Sequence, residues 1–435
     1  MFNLNAKINN KKILIYGFGK SGQSSYNYLK KLNKVSIFDD YKKVKKNFIS
    51  KKKVQLTNFD YIVLSPGIDI NKCKLKKFLN KNRKKIITDL DIFYLNHEKN
   101  LKITITGTNG KTTVSYLVHQ VLNKLGFRSL YIGTLTASLT TPESLDIQRL
   151  LSEHVNNGGT HCVLEVSSHG IDQHRIGELL FDVKLLTNIT QDHLDYHKTF
   201  QNYYSTKMLF MEKFNGYSIF PEEYKKETVL SYPQFLGRFN KENLQAAKSI
   251  LKTIGVTGSK VDSLISVCSP PPGRFEPVQS GQPYTVIIDY AHTPDALDRI
   301  IDEGRQIAKF NSGNVMVLFG CGGDRDKGKR AKMGKIASEK ADYIVVTMDN
   351  PRFENPDAIF DDIVSGIPEN LKNSNKYKVV PDRKEAIEYI LQRAQKSDVV
   401  IVAGKGHETT QIIKDQRYKF DDKQVALEYL NGEYQ

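Results

Sequence analysis

Short runs of β-branched and aliphatic residues recur along this chain, each emptying into glycine or polar residues and then into a stretch of helical periodicity. The first such unit runs Ile13-Leu14-Ile15-Tyr16, then Gly17-Phe18-Gly19-Lys20-Ser21-Gly22, then a helix to about Leu32, then Val35-Ser36-Ile37-Phe38 closed by Asp39-Asp40. Tyr61-Ile62-Val63-Leu64 before Ser65-Pro66-Gly67, and Ile86-Ile87 before Thr88-Asp89, complete a small α/β domain ending near residue 98. The pattern restarts at Ile103-Thr104-Ile105 and continues through Ser129–Ile132, Cys162–Val166 and Val183–Thr187. Pro270-Pro271-Pro272-Gly273 reads as a linker, after which strands are expected at Val286–Asp289, Val315–Phe319, Tyr343–Val346 and Val399–Val402. Such alternation predicts parallel sheets, with ligands at the carboxyl ends of the strands. No repeat is evident beyond these three successive α/β units.

Two glycine turns carry candidate chemistry. Gly107-Thr108-Asn109-Gly110-Lys111-Thr112-Thr113 follows a buried strand and opens a helix, which predicts a phosphate cradle. Lys111 is expected to reach the terminal phosphates of a nucleotide and Thr112 to hold Mg²⁺ through its hydroxyl. The spacing departs from the strict P-loop, because Ile105 stands where the first glycine belongs. The earlier turn, Gly17, Gly19 and Gly22 with Asp39 about twenty positions on, is a dinucleotide-style pattern. Its ligand could be NAD or a UDP-sugar, and a βαβ unit using its glycines only for packing would look the same.

Length, at 435 residues, suggests about three domains. The 64 lysines and arginines against 48 aspartates and glutamates give +16. Tracts such as Lys51-Lys52-Lys53 read as solvated faces with too few aromatics for a stacking platform, so no nucleic-acid partner is expected, and a polyanionic small substrate fits the bias. Four scattered cysteines form no C-x-x-C pair, which indicates neither a zinc site nor a disulfide framework. No leader and no apolar run of spanning length are evident, so a cytoplasmic protein without a membrane partner is expected.

Acidic and imidazole residues concentrate after the phosphate loop. Glu165, His169 and His174 follow one strand, and Asp192, His193, Asp195 and His197 follow the next. Glu165 beside Thr112 suits an Mg²⁺ that keeps several waters, while His193 is open to a second metal position or a hydrogen-bonding role.

From about residue 101 onward the ordered motifs GTNGKTT, TTPE, EVSSHGIDQHRI, TNITQDHLDYH, GRFNKEN, PGRFEPV, IDYAHTPDAL, FGCGGDRDKGKR, DNPR and AGKGHE resemble the Mur ligases, specifically the branch that adds the third peptide residue. The first hundred residues, with GFGKSGQS, Asp39, SPGI and TDLDIF, are instead similar to the uridine-binding domain of the D-glutamate-adding branch. The middle is short, with 29 residues between Lys207 and Gly237, and Tyr217-Ser218-Ile219-Phe220-Pro221 replaces the aspartate-rich strand end usual in the family.

The resemblance implies an α/β fold of three domains: a Rossmann-like UDP-binding domain over 1–98, a P-loop ATPase-like parallel-sheet domain over 99–271, and a Rossmann-like amino-acid-binding domain over 272–435. It implies ATP-dependent addition of meso-diaminopimelate to UDP-N-acetylmuramoyl-L-alanyl-D-glutamate through an acyl phosphate, with D-glutamate addition to UDP-N-acetylmuramoyl-L-alanine as the alternative. Mg²⁺ and ATP are the implied cofactor and co-substrate, small molecules the partners, and a monomer the assembly. By the same resemblance Lys111, Glu165, His193 and Lys207 are catalytic, the metal is held by Thr112, Glu165, His193 and Lys207, and Lys207 is carbamylated. Gly107 to Thr113 with Asn240, Arg274, Asp289, Tyr290 and His292 would bind ATP. Gly17, Gly19, Gly22, Asp39, Ser65, Thr140, Thr141, Ser167, Gln173 and Arg175 would bind the UDP-muramoyl-peptide. Arg325, Asn350, Arg352, Gly404 and Glu408 would bind diaminopimelate, a distal carboxylate suiting the guanidinium fork of Arg352.

Overall fold

The computed structural model describes residues 10–41, 47–65, 68–70, 72–87, 101–177, 179–190, 192–372 and 374–434. Pro66-Gly67, the TDLDIF segment with Thr88-Asp89, the first domain border near 98, and Gln191 lie outside the described residues, as does the side chain of Asp195.

Three parallel sheets form where the hydrophobic runs place them. The first contains β1 (Lys12–Tyr16), β2 (Lys34–Phe38), β3 (Tyr61–Leu64) and β4 (Ile86–Ile87) in the order β2-β1-β3-β4. Side chains alternate across it: Ile13 and Ile15 pack on one face with Leu29 of helix α1 (Lys20–Leu29), and Leu14 and Tyr16 on the other with Val54 of α2 (Lys51–Leu56) and Leu79 of α3 (Lys76–Lys81). The helix after the glycine turn thus ends three residues before the expected Leu32.

The second sheet contains β5 (Leu101–Thr106), β6 (Ser129–Ile132), β7 (His161–Val166), β8 (Val183–Leu186) and β9 (Tyr217–Ile219), ordered β6-β7-β5-β8-β9. Its principal helices are α4 (Lys111–Lys124), α5 (Ser144–Asn156), the short α6 (Ser168–Asp172) and α7 (Leu194–His197), and α8 (Phe200–Lys213). The shortened segment still supplies an edge strand, because Tyr217–Ile219 pairs with β8 and the hydroxyl of Tyr224 donates to Thr187 O at 2.5 Å.

The third sheet holds β10 (Glu276–Val278), β11 (Thr285–Asp289), β12 (Val315–Phe319), β13 (Tyr343–Val346), β14 (Tyr377–Val379) and β15 (Val399–Ala403), ordered β10-β11-β15-β12-β13-β14. Only β10 runs antiparallel, and a separate hairpin joins β16 (Thr410–Ile413) to β17 (Gln416–Lys419). The near-continuous apolar runs of its central strands follow from burial on both faces. By compactness the chain divides into a unit of 1–227 with 245–264, holding the first two sheets, and a unit of 228–244 with 265–435, holding the third.

Candidate functional site

In the first unit, the strand order puts β5 between β7 and β8, so the loops leaving the three strands meet at one carboxyl edge. The loop after β5 is the glycine turn. Gly107 takes φ +139° against Thr187 and Asn188, where any Cβ would collide, and Gly110 takes φ +85° as the residue capping α4. Asn188, after β8, accepts the amide of Thr108 on its carbonyl at 2.8 Å and that of Asn109 on Oδ1 at 3.0 Å. Those two amides therefore shape the turn, and the amides that open α4, which have no intrahelical acceptor by position, are the candidates for an anion. Lys111 Nζ donates to the carbonyls of Gly107 and Thr108 at 3.1 and 2.9 Å, curled over its own loop. Thr113 is buried within α4.

Behind the loop, register pairs Ile105 of β5 with Glu165 of β7 and so brings a fully buried carboxylate to the base of α4. Glu165 Oε2 accepts from Thr112 Oγ1 at 3.0 Å and from Thr134 Oγ1 at 3.2 Å, while Oε1 accepts from Thr134 N at 3.2 Å and from the Tyr131 hydroxyl. Sequence reasoning paired Thr112 with Glu165 and missed Thr134 and Tyr131, which lack any motif of their own. The carboxylate and hydroxyl are hard oxygen donors beside a phosphate loop, a set that fits Mg²⁺ completed by phosphate oxygens and water.

Lys207, in α8, is also buried, and its ammonium lies 2.9 Å from Gly107 O, 3.4 Å from Thr106 Oγ1 and 5.0 Å from the Tyr203 ring centroid. Desolvation first, then the nearby Lys111 cation, push its pKa well below the usual lysine value, with Asp192 opposing. The Tyr203 hydroxyl shares a 2.8 Å hydrogen bond with Thr108 Oγ1, so α8 is tied to the turn. The helix is capped at its other end by buried Lys184, whose ammonium reaches Phe210 O, Met211 O and Phe214 O at 3.2, 2.7 and 2.5 Å.

The histidines pack as rings. His169 lies 4.8 Å from His193, 5.7 Å from His197 and 4.2 Å from Tyr196 between centroids. His193 has φ +52° and sits 3.5 Å from Asp192. Among the described residues no three His, Cys, Asp or Glu side chains gather as metal ligands, so the concentration of such residues seen in the sequence does not by itself make a metal cage.

The peptide-binding candidates adjoin this edge. Thr141 Oγ1 bridges Glu165 O at 3.0 Å and the amide of Ser167 at 2.8 Å, and Thr140 Oγ1 lies 3.2 Å from Thr134 Oγ1. Arg175 donates from Nη1 to Thr141 O at 2.9 Å and from Nη2 to Gln173, with Nε 3.8 Å from Glu143 Oε1.

In the first sheet Gly17 has φ +94°, and a Cβ on Gly22 would strike Gly17 O, so both glycines serve the tight turn. Gly19 faces open space. Asp39 Oδ2 accepts the amide of Phe18 at 2.6 Å, and Ser65 Oγ donates to Gly17 O at 3.0 Å. The acidic residue of the pattern thus fixes the turn itself, alongside any ligand role.

The second unit has its own cluster. Asp289, at the end of β11, accepts the amides of Phe275 and Ala291 at 2.7 Å each, so its ribose-accepting role would have to share oxygens already committed to backbone. Burial raises its pKa, with the Arg274 charge and the two amides opposing. Arg274 stacks 4.9 Å over Tyr290, which also meets His292 at 4.6 Å and His407 at 5.1 Å. Burial lowers the pKa of both histidines, keeping their neutral forms favoured. Asn240 is buried, donating to Leu236 O at 2.8 Å and accepting from Asn243 at 3.1 Å.

Arg325 and Arg352 flank Gly322, where a Cβ would lie 2.9 Å from Arg352 Nη1 and 3.6 Å from Arg325 Cγ. Arg352 has φ +51° and donates to Gly323 O at 2.8 Å. Asn350 Nδ2 reaches Glu408 Oε2 at 2.9 Å, and Gly404, at φ +116°, lies against Asp349. Lys405, wholly buried, joins Glu408 Oε2 at 3.1 Å, Asn350 Oδ1 at 3.2 Å and Thr410 O at 2.7 Å. The sequence reading passed over Lys405, although a lysine between two glycines at a strand end was the available signal. The pair carries no net charge, and the two arginines leave the cluster cationic.

Comparison with known proteins gives one consistent likeness. The family model described as Mur ligase middle domain matches residues 105–231, and that described as Mur ligase, glutamate ligase domain, matches 273–406. A UDP-N-acetylmuramoyl-L-alanyl-D-glutamate–2,6-diaminopimelate ligase of Bacillus cereus is 37% identical over 390 residues, covering 76% of this chain and 78% of the relative. One of the same name from Clostridium tetani is 36% identical, covering 84% of each. A solved structure of an enzyme of that name superposes with a TM-score of 0.57 at 25% identity, over 99% of this chain and 94% of the other. A UDP-N-acetylmuramate-alanine ligase from Thermotoga maritima, at 16% identity and TM-score 0.51, shares the fold.

Proposed function

The chain belongs to the Mur ligase family, and we propose on that premise that it is an ATP-dependent amide ligase adding meso-diaminopimelate to UDP-N-acetylmuramoyl-L-alanyl-D-glutamate in peptidoglycan precursor synthesis. D-glutamate addition, suggested by the N-terminal motifs, is not favoured, since relatives matching across most of the chain are named for diaminopimelate. The observation that carries the mechanism is the phosphate turn closed over buried Glu165, Thr112 and Lys207.

An amine attacks a free carboxylate poorly because the oxygen is a poor leaving group. ATP supplies a phosphoryl group to the carboxylate, the amine attacks the resulting acyl phosphate, and phosphate departs. The α4 amides and Lys111 hold the transferring phosphates, and Arg274 is assigned to the nucleotide by its family motif. Thr112 and Glu165, with His193 and carbamylated Lys207 by the family likeness, would hold Mg²⁺, which would supply further neutralisation of negative charge. The depressed pKa of Lys207 favours the free amine that carbon dioxide requires; forming the new N–C bond releases one proton and converts the neutral amine into an anion. Thr140, Thr141, Ser167, Gln173 and Arg175 orient the dipeptide, while Gly17, Gly19, Gly22, Asp39 and Ser65 take the UDP end. Asn240, Asp289, Tyr290 and His292 serve the nucleotide.

Arg325 and Arg352 meet the distal carboxylate of diaminopimelate, Glu408 with Asn350 meets its distal ammonium, and Gly404 permits close approach. With this function we take residues 98 and 271 as working domain borders and the cytoplasm as the protein's compartment. The test is phosphate release that requires ATP, UDP-muramoyl-dipeptide and diaminopimelate together, with Arg352→Ala lowering kcat/KM for diaminopimelate about a hundredfold and leaving the KM for ATP unchanged. Phosphate release that ignores diaminopimelate would overturn the reading.

A further inference from the structure

The excess positive charge is not spread along the chain. Residues 1–100 hold 23 of the 64 lysines and arginines and only 7 of the 48 aspartates and glutamates, whereas the other 335 residues hold 41 of each. A general lysine enrichment would have charged both parts. The whole +16 therefore belongs to the first hundred residues, an asymmetry of the kind that marks a polyanionic partner.

The first sheet gives that charge a direction. One face packs Ile13, Ile15 and Val63 against α1 and against Leu145 of α5, and so is turned toward the second sheet's domain. The other face packs against α2 and α3 in a cluster that draws on nothing beyond Ile86. The outer sides of these two helices carry Lys51, Lys52, Lys53, Lys76, Lys77 and Lys81, all exposed, and no recorded salt bridge involves them among the described residues. No aspartate or glutamate occurs in residues 41–59 or 70–88. Leu56, on α2 beside these cations, is 78% exposed.

The nucleotide-binding candidates of this domain, Gly17, Asp39 and Ser65, lie in the loops that follow β1, β2 and β3, and Lys74, just ahead of α3, donates to the Asp40 carbonyl at 2.5 Å, so the basic face borders that loop edge and extends from it along α2 and α3. Nucleic acid would call for a series of exposed aromatic rings among the cations; Tyr41, 94% exposed with Lys74 over its ring, is one, and α2 and α3 add no other, their own exposed apolar side chain being the aliphatic Leu56. A broad cationic face with a protruding aliphatic side chain matches the charge and the interfacial apolar layer of an anionic bilayer. We propose that the α2–α3 face docks this protein peripherally on anionic phospholipid surfaces. The expectation of no membrane partner came from the lack of a spanning run, which has no bearing on surface docking.

The experiment is sedimentation of the full-length chain with vesicles of phosphatidylglycerol and phosphatidylcholine at about 0.1 M salt, where charge is screened beyond about 10 Å. Binding is expected to mixed vesicles, not to pure phosphatidylcholine, and to fall steeply with added salt. A chain carrying Lys51→Gln, Lys52→Gln, Lys53→Gln, Lys76→Gln and Lys77→Gln should bind at least tenfold more weakly while turning over dissolved substrates within about twofold of the parent. Leu56→Ser should weaken binding at least threefold, and Leu230→Ser, an equally polarising change at a leucine 58% exposed in the neutral part of the chain, should not. Equal binding to neutral vesicles, or none to anionic ones, would overturn the proposal. So would tighter binding to duplex DNA than to vesicles at the same salt, or a loss confined to kcat/KM for the UDP precursor, which would make the face a steering surface for substrate.

Discussion

Lys111 rests on two carbonyls of its own turn, at 3.1 and 2.9 Å, contacts a phosphate can replace without moving the backbone. On the proposed mechanism its charge acts when the phosphoryl group transfers. Lys111→Ala should lower kcat by about a hundredfold or more, a loss of roughly 3 kcal/mol of transition-state stabilisation, while the unfolding midpoint moves by no more than about 2 °C. Steady-state kinetics beside a thermal melt check both. Lys207 is the harder residue, since unmodified it is a buried amine whose charged form is disfavoured by burial and by Lys111, and as a carbamate it is an anion near that cation. Lys207→Ala should lose most activity and regain part of it with a short carboxylic acid in the assay, whereas Lys207→Arg should not be rescued. Carbon-13 carbonate labelling of the parent enzyme that leaves no carbamate resonance would refute the modification. At this scale the sequence made Lys111, Thr112 and Glu165 legible through their positions at strand ends. Tyr131, Thr134 and Lys405 stayed hidden because they act by completing another side chain's hydrogen bonds, which only register and burial reveal.

Elements place these groups with different degrees of support. Helix α8 carries Lys207, ties to the phosphate turn through Tyr203, and has its last carbonyls satisfied by Lys184. A buried lysine that caps a helix in this way costs desolvation, which lowers its pKa, yet removing it strands three acceptors. Lys184→Met should therefore destabilise the first unit by about 3 kcal/mol, read as an earlier denaturant transition of that unit, and should loosen α8 enough to lower activity. An unchanged transition would mean that water satisfies the carbonyls. The pattern of apolar residues did not mark α8, and only the family resemblance singled out Lys207 within it. Strand positions read clearly by contrast, since β-branched runs such as Val399–Ala403 admit few other conformations when buried on both sides.

Across the whole molecule, three largely parallel sheets each bring candidate residues to the carboxyl ends of strands, and the sheets themselves were the most legible feature of the chain. Alternation of strand and helix dictates it. Less legible was the distribution of charge: a single total of +16 concealed a neutral body and a strongly basic first domain, and the direction of the basic face emerged only with the packing of α2 and α3. The central claim concerns what the assembled enzyme joins. Equimolar meso-diaminopimelate, L-lysine and D-glutamate should be offered together with ATP, Mg²⁺, UDP-muramoyl-dipeptide and UDP-muramoyl-alanine, and the UDP products weighed by mass spectrometry. One product is predicted, the dipeptide precursor extended by diaminopimelate, exceeding the lysine adduct by at least about a hundredfold because two charge-assisted hydrogen bonds to the distal carboxylate are at stake. Comparable lysine and diaminopimelate adducts, or a main product of UDP-muramoyl-alanine extended by D-glutamate, would contradict the account.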